Sequence, residues 1–346
     1  MIPDAASKPG APTAAAERSD VGLETFRSEI LSSNEPVVLR GLVRDWPAVR
    51  ASQSIDAAIA YLERFDRQSA VEAFVGPPEI RGRFFYRDGA TAFNFERRRG
   101  RLKEILDAIR QVGDSPAAPA IYVGAAPVAE VLPGFEQDNA MPLLDGIPAA
   151  PRIWIGNQTV VSAHFDESDN LAVVVAGHRR FRLFPPEQVR NLYVGPLDVT
   201  MAGQPASMVD LREPDFGRYP RFAEALAASR IAELEPGDAI FIPALWWHEV
   251  EALDSFNVLL NYWWKAVPEG AGSAFEAMIH GILAIGELPE RQRDAWRAMF
   301  DHYVFRLHGD PAEHLTYAQK GILGTATPQL RARIRQFLLR MLSMQH

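Results

Sequence analysis

Short apolar runs, punctuated by proline, glycine and acidic turns, fill the stretch from Arg152 to Trp264 and restrict the middle of the chain to a β architecture. The runs are Arg152–Ile155, Leu171–Val175, Arg180–Phe184, Ala239–Ile242 and Val258–Trp264. Phe181 and Leu183 alternate with Arg180 and Arg182, the pattern of a strand with one wet face. Pro185-Pro186 stops that strand, because proline cannot donate to a sheet ladder. Glu235-Pro236-Gly237-Asp238 is a turn feeding directly into Ala239-Ile240-Phe241-Ile242. Several short strands with turns between them predict a sandwich or barrel.

The flanks read differently. Met1 to Asp20 is rich in Ala and Pro and is expected to be a disordered lead-in. A short helix is expected over Gly22–Ser32, a strand over Val37–Gly41, a turn at Trp46-Pro47 and a helix over Ser54–Phe65. Strand-like pieces follow at Ala70–Val75 and Arg83–Tyr86. Leu102, Ile105, Leu106 and Ile109 then form the stripe of a half-buried helix. After Pro268 the spacing is helical. Phe275, Met278, Ile279 and Ile282 make one stripe, Trp296, Met299, Phe300 and Tyr303 another, and Leu330, Ile334, Phe337, Leu338 and Met341 a third. So much apolar surface must pack on the barrel or on a second copy of the chain.

With 47% hydrophobic residues among 346, the chain can bury a sizeable core. It has no cysteine, so disulfides and thiolate metal sites are excluded, and any transition metal must use imidazole and carboxylate. This fits a reducing cytoplasm, and the N-terminus lacks the pattern of a signal peptide. No apolar run approaches 18 residues, so no membrane helix is expected. A net charge of −8 gives no bulk attraction to nucleic acid or anionic membrane.

In a strand, residues i and i+2 share a face. In Val161-Ser162-Ala163-His164-Phe165-Asp166 that alternation projects His164 and Asp166 together, with Phe165 on the other side. Such a pair is often only a hydrogen-bonded couple. A third ligand turns it into a metal site, and His248 is the best candidate, because it follows the strand ending at Ile242-Pro243 behind Trp246-Trp247. His178, His280, His302, His308, His314 and the terminal His346 lack a comparable strand setting. Two histidines and a carboxylate on one side leave the opposite positions of an iron(II) ion open to oxygen and a co-substrate.

From Arg152 to Lys265 the chain resembles the JmjC-type, cupin-like oxygenases, above all the branch with the asparaginyl hydroxylase that acts on hypoxia-inducible factor. The resemblance rests on Ser162–Glu167, Asn170, Gly177-His178-Arg179-Arg180-Phe181, Leu183-Phe184-Pro185-Pro186, Pro236-Gly237-Asp238, Ile242-Pro243, Trp246-Trp247-His248 and Asn261-Tyr262-Trp263. Pro36–Gly41 and Trp46-Pro47 are similar to that family's opening. It implies a mainly β protein with α elements: a domain over residues 21–268 that has N-terminal α/β elements and a double-stranded β-helix (jelly-roll) core, and a C-terminal helical dimerisation region over 269–346. It implies Fe(II), with 2-oxoglutarate and O2 as co-substrates, and His164, Asp166 and His248 as catalytic metal ligands. It also implies that the co-substrate's far carboxylate meets Arg179, where relatives carry lysine, and the Tyr122 hydroxyl. Arginine offers a bidentate fork for that role. Asn170 and Asn261 match asparagines lining the metal and co-substrate pocket. Val161 replaces a threonine donor.

The expected activity is hydroxylation of a protein or peptide side chain by a cytoplasmic homodimer, with a small-molecule substrate open and nucleic acid disfavoured by the pI near 5.6. Two other readings fit the residues. One is a cupin-like sensor or binding protein that has lost catalysis. The other is a metal-dependent cupin enzyme that does not use 2-oxoglutarate.

Overall fold

Alternation along the strands decides how the layers stack. Residues 10–87, 92–201, 203–265 and 270–344 are described by the computed structural model. The chain divides into two units, residues 1–265 and 266–346. The boundary expected at 268 lies outside the described residues.

The strands of the first unit, in chain order, are β1 (Thr13–Ala14), β2 (Ala16–Ser19), β3 (Val37–Arg40), β4 (Ala70–Gly76), β5 (Arg83–Phe84), β6 (Glu96–Arg101) and β7 (Ala120–Pro127). They continue as β8 (Pro151–Gly156), β9 (Val160–His164), β10 (Asp169–Ala176), β11 (Arg179–Phe184), β12 (Arg230–Leu234), β13 (Ala239–Ile242), β14 (Trp247–Ala252) and β15 (Asn257–Trp264). Strands β8 to β15 build two antiparallel sheets, ordered β13-β10-β15-β8 and β12-β11-β14-β9. The chain crosses repeatedly from one sheet to the other, which makes the core a double-stranded β-helix. Strands β7, β4 and β6 extend the first sheet beyond β8, and β3 and β2 extend it beyond β13. Strands β5 and β1 lengthen the second sheet at its two ends.

The first sheet is covered on both faces, so its central strands are apolar throughout. Ala172, Val174, Ile240, Ile242 and Leu259 look into the barrel, where they meet Phe181 and Leu183 of the second sheet. Leu171, Val173, Phe241, Val258 and Leu260 look outward, into a core shared with Leu102, Leu106 and Ile109 of helix Leu102–Val112 and with Ile59 and Leu62 of helix Ile55–Glu63. The Ser54 side chain caps that second helix by accepting from the Ala57 N–H at 3.2 Å. Leu106 is fully buried, and each such side chain contributes about 1.5–3 kcal/mol. The second sheet has one wet face. There Arg180 pairs with Glu251 at 3.2 Å and Glu233 at 2.8 Å, while Arg182 pairs with Glu249, which is buried on the neighbouring strand. Gly177 turns β10 into β11 with φ +72°, and a Cβ there would stand 2.4 Å from the Asn257 side chain.

Three expectations need correction. The lead-in is not all disordered: β1 lies parallel to β12, β2 lies parallel to β3, and Ala15 is buried. Those strands would otherwise end the two sheets with unpaired backbone groups, and a small-residue segment fits against them. Residues 1–9 lie outside the described residues. The helix after Gly22 is α over Leu23–Thr25 and Leu31–Ser33 but π over Phe26–Ile30, a turn that buries both Phe26 and Ile30. The strand expected to carry both His164 and Asp166 ends at His164, so Asp166 projects from the loop that follows.

The second unit holds helices Ala274–Ile285, Glu290–Tyr303 and Pro328–Ser343. Ser273 and Thr327 cap the first and third through their side chains. None of the three has a buried residue, and Ile282 (52%), Leu283 (73%) and Phe337 (51%) are largely exposed. Among the described residues no helix is long and apolar enough to cross a membrane.

Candidate metal centre

Strands β9 and β14 are neighbours, and their register sets His164 directly opposite His248. The imidazole centroids are 4.4 Å apart. Each ring is turned by its own backbone: His164 Nδ1 lies 2.9 Å from the Ser162 carbonyl, and His248 Nδ1 lies 3.0 Å from the Trp246 carbonyl. A carbonyl only accepts, so each Nδ1 carries the proton and each Nε2 keeps its lone pair for a metal. Asp166 completes the group, with Oδ2 3.6 Å from His248 Nε2. One ligand atom from each residue falls within 4.8 Å of the others. Phe165 turns away and packs edge-on against Trp247.

The loop holding Asp166 is tied down on several sides. The Leu245 N–H donates to the Asp166 carbonyl at 2.8 Å, and the Ala244 N–H donates to Asp169 Oδ1 at 3.0 Å. Trp263 donates its indole N–H to Asp166 Oδ2 at 3.1 Å. Such a bond orients a carboxylate and leaves its other oxygen free for a cation. Burial, with His164 alongside, holds the His248 imidazole below the ordinary range. It is therefore neutral near pH 7, the state a ligand needs.

The three residues face a cavity of about 740 Å³. Tyr122, Trp154, Asn170, Phe181, Asn261 and Trp263 form part of its wall. Asn261 donates from Nδ2 to Asn170 Oδ1 at 2.7 Å, which explains two asparagines in apolar strands. Arg179 shares the inner face of β11 with Phe181 and is only 1% exposed. It is not itself part of the wall; its guanidinium lies near the hydroxyl of Tyr122, which is. Burial pushes the guanidinium down and the Tyr122 hydroxyl up, and each partly offsets the shift of the other. Nε and Nη2 of Arg179 have no hydrogen-bond partner. These two nitrogens form one edge of the guanidinium fork, spaced to meet both oxygens of a carboxylate. The structure thus brings Tyr122, Asn170 and Asn261 to the cavity that the three ligands face, and leaves Arg179 near Tyr122 but outside the lining.

The donor set fits a first-row divalent ion such as iron(II), and the vacant fork of Arg179 fits an acid bound in the barrel. Val161 lines the cavity and offers no donor, as expected. Trp154 was not singled out by sequence. Its ring stacks on Tyr122 at 5.6 Å and meets Trp263 edge-on at 5.8 Å, while its buried indole N–H lacks a partner. Gly124 makes room for it, since a Cβ there would stand 3.3 Å from the Trp154 ring. The signal was available in the alternation of β8, where Trp154 lies between Ile153 and Ile155 and takes the opposite face. Thr200, Met201, Gln204 and Ala206 also line the cavity, from a long excursion between β11 and β12 with no periodicity to mark it.

A double-stranded β-helix with a His-x-Asp pair at the end of one strand and a histidine opposite it is the frame of the cupin-like proteins. The chain belongs to the cupin-like domain family, whose profile matches residues 23–270. It is similar to lysine-specific demethylase 8 of Xenopus tropicalis, 28% identical over 256 residues, covering 70% of this chain and 51% of that protein. It is also similar to tRNA wybutosine-synthesizing protein 5 of Danio rerio, 39% identical over 146 residues, covering 38% of this chain and 42% of that protein. The X-ray structure of E. coli ycfD aligns over 95% of this chain and 70% of that one, with a TM-score of 0.44 and 16% identity. The chain spans about half the length of the curated relatives it matches. Family membership and the convergent triad are consistent with oxygenase chemistry of the iron and 2-oxoglutarate type.

Proposed function

We propose that this chain is an Fe(II)- and 2-oxoglutarate-dependent oxygenase that hydroxylates a side chain of a protein or peptide. One observation carries the reading: a His-Asp-His triad faces the same barrel interior in which a buried arginine keeps its carboxylate-binding edge vacant. His164, Asp166 and His248 would hold the metal. Arg179 and the Tyr122 hydroxyl would take the far carboxylate of 2-oxoglutarate, and Asn170 and Asn261 would line the space between. With iron bound, O2 and 2-oxoglutarate are converted to succinate and CO2 while a substrate C–H becomes C–OH.

The protein's own work is positional. Trp263 fixes the Asp166 carboxylate, the two backbone carbonyls fix the imidazoles, and the aromatic wall of Trp154 and Phe181 keeps water from the reacting centre. A protein substrate is favoured because similarity to a relative named as a lysine demethylase runs along 70% of the chain, against 38% for one named for tRNA. The cysteine-free composition supports a cytoplasmic setting, and the bare apolar faces of the C-terminal helices support a homodimer.

The test is anaerobic addition of Fe(II) and 2-oxoglutarate, followed by admission of air. Visible charge-transfer absorption, then succinate release that disappears in His164→Ala, is expected. Metal binding without either signal would overturn the use of 2-oxoglutarate and favour a sensor or a different cupin chemistry.

A further inference from the structure

Strand β6 ends the first sheet: it pairs with β4 and, among the described residues, with no other strand. Its sequence is Glu96-Arg97-Arg98-Arg99-Gly100-Arg101, and every residue but Gly100 is exposed. Four arginines in six residues are a local inversion of charge in a chain whose net charge is −8. Arg98 is answered by Glu96 at 2.9 Å and Arg97 by Glu72 at 3.5 Å. Among the described residues Arg99 and Arg101 make no ion pair.

The backbone register shows which groups point away from β4 and, among the described residues, are free. The Leu102 N–H donates to the Ser69 carbonyl at 3.0 Å, one step beyond the Ala70–Arg101 pair. Antiparallel ladders bond every second pair, so Gly100, Arg98 and Glu96 are the residues bonded to β4. Arg97 and Arg99 therefore turn their N–H and C=O groups away from the sheet. This edge also leads to the reaction cavity. Arg97 lines it with Glu72 and Phe74 of β4, and the Arg97 Nη2 donates to the Met201 carbonyl on the cavity wall at 2.7 Å.

We propose that β6 docks an acidic peptide in extended form, added as a further strand, and so delivers an adjoining side chain of that peptide to the cavity. This rests on the reading of the chain as an oxygenase of protein side chains. The free N–H and C=O groups of Arg97 and Arg99 supply main-chain hydrogen bonds to the added strand. The arginines supply the selection. Charged edges repel indiscriminate pairing, and here they leave carboxylate-bearing strands as the favoured partners. The alternating free N–H and C=O groups favour a peptide, whose backbone both donates and accepts, over a nucleic-acid phosphate backbone, which only accepts.

Fluorescence anisotropy on the full, metal-free chain tests this without turnover, so failure of the docking and failure of the oxygenase reading are separable. The probe is a fluorescein-labelled peptide alternating glutamate and threonine. Its controls are the same peptide N-methylated along one backbone edge, a lysine–threonine peptide and a labelled single-stranded RNA. The acidic peptide binds and weakens with added salt, while N-methylation lowers its affinity roughly tenfold, as loss of main-chain bonds requires. Arg99→Gln weakens it about two- to fivefold, and Arg99→Pro, which also removes the outward N–H, weakens it further. Equal binding of the N-methylated peptide, equal binding of the lysine peptide, or RNA binding tighter than the peptide and indifferent to the step from Gln to Pro would each overturn the proposal.

Discussion

Replacing Arg179 by methionine separates a binding role from a structural one, because the two predict opposite changes. Arg179 is 1% exposed and leaves Nε and Nη2 without partners. A buried, unsatisfied donor costs about 1–3 kcal/mol, so the ligand-free protein carries that penalty in its resting state. Methionine has similar reach and no donors, and the ligand-free Arg179→Met variant is expected to melt at the same temperature as the parent or higher. The acid complex moves the other way. Removing one partner of a buried charge pair costs roughly 3–5 kcal/mol, which is about 10²- to 4 × 10³-fold in Kd. Calorimetric titration of 2-oxoglutarate into the Mn(II)-loaded protein measures that loss without turnover. Tyr122→Phe, which removes one hydroxyl beside the same guanidinium, is expected to cost about fivefold. Unchanged affinity in Arg179→Met, or a ligand-free variant destabilised by several kcal/mol, would refute the reasoning, since either result makes Arg179 a strut rather than an anchor.

Trp263→Phe keeps the ring and removes the donor to Asp166, so metal affinity should fall roughly 10- to 100-fold by Co(II) titration while the ligand-free melting temperature stays within a few degrees. Acid should release the metal, because both histidines must be neutral to bind. Burial holds the folded His248 below the ordinary value of about 6.5, so half-release is expected below that pH, and half-release at or above it would contradict the burial argument. The same depression means that the His248 contribution to ligand-free stability is complete above about pH 6.5 and is lost as pH falls through the lowered folded value. In the second unit, Leu283→Glu combined with Phe337→Glu should turn a dimer into a monomer in sedimentation velocity without weakening metal binding; an unchanged mass would remove the dimer proposal.

What sequence could supply followed from period. The apolar runs of β10, β11, β13 and β15 and the stripe of helix Leu102–Val112 were legible because each buries a face on a fixed repeat, and the structure shifts their ends by a residue or two. The triad was legible for a different reason: few residue types ligate a metal in a chain without cysteine, and the spacing of His164 and Asp166 put both on one side. The reason given for Asp166 was still incomplete. The strand stops at His164, and Asp166 reaches the site because Leu245 and Trp263 hold its loop. Those partners come from segments about 80 and 97 residues away, a separation that no local pattern reports. The nearness of Arg179 to Tyr122 lies in the same class, since it depends on strands of the two sheets meeting across the barrel. Edges were the other blind spot. Strands β1 and β2 are short and alanine-rich, with no hydrophobic alternation to find, and they exist because β12 and β3 need partners. Strand β6 escapes the same logic: among the described residues its outer edge is left open and charged, which is why its function must be sought in what comes to it rather than in what it packs against.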